Sequence, residues 1–168
     1  KKNKCDSQAI TCRENNILIV EQENKQLGFV GTPKEINLSV IEKIVKQKKV
    51  PVIAPLGLDQ DNQVYNINAD TAAGAIAKKL NARRLIIMSD VEGVLDDNKN
   101  LISEINTDKV NDLIKNDIIS GGMIPKIKNS LDVASNGVKG VCIIDGRLDH
   151  SILFELLSNA GSGTLIRE

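Results

Sequence analysis

Aromatic side chains are scarce in this chain: its 168 residues include no tryptophan, one tyrosine and two phenylalanines. Binding single-stranded nucleic acid by stacking needs several exposed rings, so that scarcity argues against it. The charge balance points the same way. Lys plus Arg and Asp plus Glu stand at 22 each, which leaves no basic field for a phosphate backbone. Cys5, Cys12 and Cys142 are an odd number without CxxC spacing, and His150 is the only histidine. Structural zinc and a disulfide scaffold both lack parts, and the cysteines are expected to be free thiols. No apolar run approaches the roughly 20 residues of a membrane span, and the opening Lys1-Lys2-Asn3-Lys4-Cys5-Asp6 lacks the apolar core of a signal peptide. These absences predict a soluble, intracellular protein with neither membrane nor nucleic acid as partner.

Several site chemistries are missing too. Neither G-x-x-x-x-G-K-[ST] nor G-x-G-x-x-G occurs. Asp96, Asn98 and Asn100 imitate the start of a calcium loop, but Leu101 and Thr107 stand where its glycine and closing glutamate belong, so the stretch reads as a turn. His150 has no evident triad partners and reads as a capping or packing residue at a helix start.

What is present is an alternation of strands and helices, which predicts an α/β protein with a mainly parallel central sheet. Residues 9–13 and 17–20 flank the polar turn Glu14-Asn15-Asn16 and suggest a β-hairpin. Pro33 stands where a helix can begin, with Ile36, Val40, Ile41, Ile44 and Val45 on one face. Residues 50–55 read as a buried strand and 56–62 as the loop at its carboxyl end, the place where open α/β sheets bind ligands. An alanine-rich helix follows over 69–80. Further on come a strand over 84–88, a hairpin turn through 96–100, a helix capped by Thr107, a helix beyond Gly122, a strand over 138–144 and a last helix over 151–157.

Ser120-Gly121-Gly122-Met123-Ile124-Pro125-Lys126 is the stretch with the clearest chemistry. Two glycines let a ligand approach the backbone, a helix start offers N–H groups and partial positive charge to an anion, and Lys126 adds a full charge. Taken alone, it reads more simply as a turn entering a surface helix with a solvated lysine. Asp70 alone could be a carboxylate complementing a helix dipole, and Asp90 a loop residue capping the next turn.

Tyr65-Asn66-Ile67-Asn68-Ala69-Asp70-Thr71-Ala72-Ala73 resembles the motif that opens the nucleotide lobe of N-acetylglutamate kinases, members of the amino acid kinase family. Leu27 to Gly31, Pro51 to Gly57, Ser89 to Leu95, Ser120 to Lys126, Ile143 to Arg147 and Gly161 to Thr164 resemble later motifs of that family in order. The likeness is nearly continuous from about residue 17. It implies a three-layer αβα sandwich, incomplete at the amino-terminal lobe, with residues 1–64 the remainder of that lobe and 65–168 the nucleotide-binding lobe. It also implies phosphoryl transfer from ATP, with Mg2+ arriving on the nucleotide, to the side-chain carboxylate of N-acetyl-L-glutamate in arginine biosynthesis.

Residue roles are carried over from the same resemblance. Lys126 would stabilise the transferring phosphoryl group, and Asp70 would orient the catalytic lysines. Asn66 would bind the substrate and Asn68 would support that loop. Ser89, Asp90, Val91, Glu92, Gly93, Val94 and Leu95, with Ile118, Ile119, Ser120, Gly121, Gly122 and Met123, would enclose the nucleotide. Glu155, Gly161 and Gly163 match the stretch that receives arginine in feedback-inhibited members, while Ile152, Leu153, Leu156 and Leu157 equally suit a helix that docks by packing. A homo-oligomer, dimer or hexamer, is implied for the complete enzyme. The family's Lys-x-Gly-Gly strand end and Gly-Gly-Gly loop do not occur, so the chain resembles the carboxyl-terminal part of a kinase. A non-catalytic nucleotide-binding module, or a family kinase acting on another carboxylate or phosphate, stays open as an alternative.

Overall fold

A computed structural model describes residues 5–158 and 161–168. The chain divides into two compact units, Lys1–Leu80 and Asn81–Glu168.

In the first unit, β1 (Ser7–Ile10) pairs in parallel with β4 (Val50–Ile53), in register from Ser7↔Val50 to Ile10↔Ile53. The expected hairpin between residues 9 and 20 therefore does not form. Asn15 donates its N–H to the Thr11 carbonyl at 3.1 Å, a helical turn that reverses the chain without aligning two strands. Instead β2 (Leu18–Gln22) runs antiparallel to β3 (Gly31–Ile36) and parallel to β5 (Leu56–Leu58). Pro33 lies within β3 and not at a helix start. β3 is the edge of the sheet β3-β2-β5-β6, so the missing N–H can face away from the ladder.

The first helix, α1 (Ser39–Lys46), begins six residues later than Pro33 suggests, where the Asn37 Oδ1 accepts from the Ser39 N–H at 3.1 Å and its hydroxyl at 2.7 Å. It buries Ile41 and Ile44, whereas Val45 is exposed. The segment expected as a ligand loop is also different: β5 turns through Asp59 into β6 (Val64–Asn66), the Asp59 Oδ1 accepting from the N–H groups of Asp61 and Gln63, both at 2.9 Å. α2 (Ala69–Lys79) buries Ala72, Gly74 and Ala77 and packs on β3. Ile10, Ile17, Leu18, Val20, Ile41, Ile44, Tyr65 and Ile67 form this unit's core.

The second unit holds a sheet of order β7-β9-β10-β8, built from β7 (Leu85–Ser89), β8 (Glu104–Ile105), β9 (Val141–Asp145) and β10 (Gly163–Ile166). β7 and β9 are parallel, as are β8 and β10, while β9 and β10 are antiparallel. Every residue of β9 is buried, as a central strand requires. The polar turn forms where expected: the Asp96 Oδ1 accepts from the N–H groups of Asn98 and Asn100, and Leu95 bridges Leu101.

α3 (Thr107–Lys115) is capped one residue earlier than expected, by Asn106, whose Oδ1 accepts from the Lys109 N–H at 3.1 Å. α4 (Met123–Ser135) buries Ile127, Ser130, Val133 and Ala134. α5 (Ser151–Leu157) reverses the docking expectation. It buries Ser151 and Glu155 and exposes Ile152, Leu153, Phe154, Leu156 and Leu157. His150 at its start is exposed, has φ 64° and makes no side-chain cap, so it neither packs nor caps; its carbonyl accepts from Leu153 and Phe154. Cys5, Cys12 and Cys142 are free, the last two buried.

Candidate functional site

The residues singled out from the sequence fall on both units. In the first, Asn66 ends β6 with an exposed side chain, its N–H bonded to the Phe29 carbonyl at 2.9 Å. Asn68 caps α2, its Oδ1 accepting from the N–H groups of Asp70 at 3.0 Å and Thr71 at 3.2 Å. Asp70 follows in the first turn, half-buried, where a carboxylate complements the positive end of the helix. Asn66, Asn68 and Asp70 are thus held within five residues by one strand end and one cap.

In the second unit, β7 ends in Ser89, whose hydroxyl donates to the Asp90 Oδ1 at 3.3 Å. The loop then turns inward. Gly93 has φ 144°, and a Cβ there would meet the Thr164 Oγ1 at 2.6 Å and the Leu101 Cδ1 at 2.7 Å, so only glycine fits. The buried Val94 N–H donates to the Thr164 Oγ1 at 2.8 Å, and the Thr164 hydroxyl donates onward to the Ile102 carbonyl at 2.7 Å. Thr164 is the fastener of the 89–95 loop. Sequence reading placed it in a glycine-rich motif and missed that role, since its partners lie 70 and 62 residues away.

Ile118 and Ile119 both donate to the Leu113 carbonyl, at 3.0 and 3.2 Å, ending α3. Ser120 and Gly121 accept from the N–H groups of Met123 and Ile124, which start α4. Gly121 has φ 55°, and a Cβ on Gly121 or Gly122 would meet nothing within 4 Å, so this backbone is open to a ligand. α4 carries no acidic residue in its first turn and no side-chain cap on Gly122. Lys126 stands one turn in, half-buried, its carbonyl accepting from the Ser130 hydroxyl at 2.8 Å. Open glycines, a helix start and a lysine are a composition suited to a phosphate-bearing ligand.

Sequence reading also missed the clamp at the end of β9. The buried Asp145 accepts from its own neighbour Arg147 three times: from Nε to Oδ1 at 2.9 Å, from Nη2 to Oδ2 at 2.8 Å and from the backbone N–H to Oδ1 at 2.8 Å. Those bonds hold the Asp145 carboxyl below the usual carboxylate range, and Asp145 in turn raises the Arg147 guanidinium. The signal lay in the stretch Ile143 to Arg147, but β9 ends at Asp145, so the pairing across Gly146 lies beyond the strand, where its period no longer places side chains.

Glu155 of α5 meets Gly161 and Gly163 at the entry to β10. The Glu155 Oε1 accepts from Arg84 Nη1 at 3.0 Å and from the Cys142 thiol at 2.9 Å, and its Oε2 accepts from the Ser162 N–H at 3.0 Å. Burial first, and Glu155 second, push the Cys142 thiol up to about 12. Glu155, Gly161 and Gly163 line a pocket of about 340 Å³ together with Arg84, Glu104 and Arg167.

A sequence model of the amino acid kinase family matches residues 1–145. The chain is 68% identical over 164 residues to an acetylglutamate kinase of Pelagibacter ubique, covering 98% of this chain and 57% of that protein. It is 47% identical over 159 residues to an acetylglutamate kinase of Clostridioides difficile, covering 92% and 56%. The chain therefore spans little more than half the length of these curated relatives. A carbamate kinase from Giardia lamblia, solved bound to AMP-PNP, superposes with a TM-score of 0.69 at 19% identity over 99% of this chain and 64% of that one. That likeness bears out the layered α/β class, consistent with a three-layer αβα sandwich. Among the described residues no helix is long and apolar enough to cross a membrane.

Proposed function

This chain belongs to the amino acid kinase family, and from that premise we propose that it is the nucleotide-binding part of an ATP-dependent kinase phosphorylating N-acetyl-L-glutamate on its side-chain carboxylate. The observation that carries the reading is the 68% identity, across nearly the whole chain, to a protein named for that reaction. The chemistry is consistent with the residues at hand. A glutamate-type carboxylate, with a pKa of about 4.3, is already an ionised nucleophile at neutral pH, so no general base is needed. What is needed is positive charge and N–H groups around two anions, and fixed alignment.

In this reading the triphosphate lies over Gly121 and Gly122, where the start of α4 supplies N–H groups and Lys126 supplies charge that follows the phosphoryl group to the leaving oxygen. The 89–95 loop and Ile118 to Met123 enclose the nucleoside. Asn66 takes the acetylated substrate, Asn68 holds its loop, and Asp70 orients catalytic cations. Magnesium arrives on the triphosphate, where it neutralises phosphate charge. The setting is arginine biosynthesis in the cytoplasm, in a homo-oligomer when complete. A nucleotide-coupled assay of the complete enzyme across N-acetylglutamate, glutamate, aspartate and uridine monophosphate tests this, with turnover expected on N-acetylglutamate alone.

Arginine feedback is proposed for the pocket beside Glu155. An arriving guanidinium there competes with the chain's own Arg84 for the Glu155 carboxylate. Arginine titration of the complete enzyme decides the matter, and unchanged activity at high arginine rules it out.

A further inference from the structure

The 89–95 loop carries two carboxylates, Asp90 and Glu92, both exposed, on the loop proposed to enclose the nucleoside of a polyphosphate-bearing ligand. Left alone, two such charges repel each other and any anionic ligand. We propose that Arg147, clamped by Asp145, is the positioning residue of this loop: its guanidinium restrains Asp90 and Glu92 and so sets nucleotide affinity. The inference rests on the nucleotide role proposed above for the loop.

The geometry supports it in three ways. Asp145 is fixed, with 3% of its side chain exposed, and holds Arg147 through two guanidinium bonds and one backbone bond. The clamp is also joined to the base of the loop: Ser89 pairs with Asp145 across β7 and β9, and the Gly146 N–H donates to the Ser89 carbonyl at 2.7 Å. Finally, guanidinium has five N–H donors, of which Asp145 takes two, and the Arg147 side chain is 63% exposed. Asp90 and Glu92 both stabilise the charged guanidinium, after the larger effect of Asp145, so they lie within its field.

Arg147 also neutralises a buried carboxylate, and a test must separate that structural duty from the positioning one. AMP-PNP with Mg2+ is titrated calorimetrically into the complete enzyme and its variants, and thermal midpoints are recorded alongside. R147Q is expected to weaken AMP-PNP binding about tenfold, the scale of one charge-assisted contact, and to lower the midpoint by leaving Asp145 unpaired. D145N/R147Q removes the buried charge, so its midpoint recovers while its affinity stays about tenfold weak. R147K, which keeps the charge without the two-pronged clamp, is expected to fall between. Wild-type affinity in D145N/R147Q, or in R147K if the double variant does not fold, overturns the proposal while leaving the nucleotide site intact. No AMP-PNP binding by the complete, unsubstituted enzyme overturns the nucleotide role of the loop, and this proposal with it.

Discussion

At the residue scale, the two most informative side chains behave oppositely. Lys126 is half-buried at the start of α4 beside glycines that leave the backbone open. If its charge serves the transition state, Lys126→Ala in the complete enzyme lowers kcat by about 10²- to 10³-fold with little change in ATP affinity. Steady-state kinetics with a separate binding titration check this, and equal losses in both would make Lys126 a binding residue. Cys142 is the reverse case, a thiol kept neutral by burial and by Glu155, with its pKa at about 12. The sign follows from linkage: the folded state holds the thiol proton more tightly than the unfolded chain, whose thiol titrates near 9.0. The neutral thiol's contribution is whole below pH 9 and is lost as pH rises toward 12. Urea unfolding between pH 8 and 10.5 should show that loss in the native sequence and a shallower one in Cys142→Ala.

At the scale of elements, α5 shows how a helix can be held by the residues that look least suited to it. Its apolar side chains are exposed, and Glu155 anchors it through Arg84, Cys142 and Ser162. Leu157→Ser is therefore expected to change stability by no more than about 0.5 kcal/mol, while Glu155→Ala costs several times that by stranding donors. Chemical denaturation of both variants is the measurement, and a larger loss from Leu157→Ser would mean the apolar face is covered. The same helix marks where the sequence stopped being legible. Its position was readable from Ser151 to Leu157, but which face is buried depends on Arg84, 71 residues away. α2, α4 and β7 were legible because their signals are local, namely alanine content, glycine before the helix and a short apolar run. The 9–20 hairpin was misread for the converse reason: turn residues at 14–16 were present, but β1 found its partner in β4. The stretches 66–70, 89–95 and 120–126 stood out as motifs, and they fall at a helix cap, a strand end and a helix start, whereas the Thr164 fastener and the Asp145–Arg147 clamp needed coordinates.

At the scale of the molecule, the governing fact is that the chain spans 57% of its Pelagibacter relative. The stretch holding Gly121, Gly122 and the 89–95 loop lies wholly in the second unit, so nucleotide affinity is expected to survive in the isolated chain. If turnover draws on the family's Lys-x-Gly-Gly and Gly-Gly-Gly motifs, which this sequence does not contain, the purified 168-residue chain is expected to turn over poorly. A full catalytic rate without any complementing segment would sink that expectation.

The parallel pairing of β1 with β4 has a consequence for dynamics. Among the described residues β1 has a single neighbour in its sheet, and its partner is about 40 residues away in sequence. The outer part of a strand so held, Gln8 and Ala9, can open while Ile10 stays in the core, so those amides are free to exchange through a local opening and not through global unfolding. Deuterium uptake at Gln8 and Ala9 should then be insensitive to mild denaturant, while Ile10, Leu18 and Val20 follow the denaturant dependence of the whole unit.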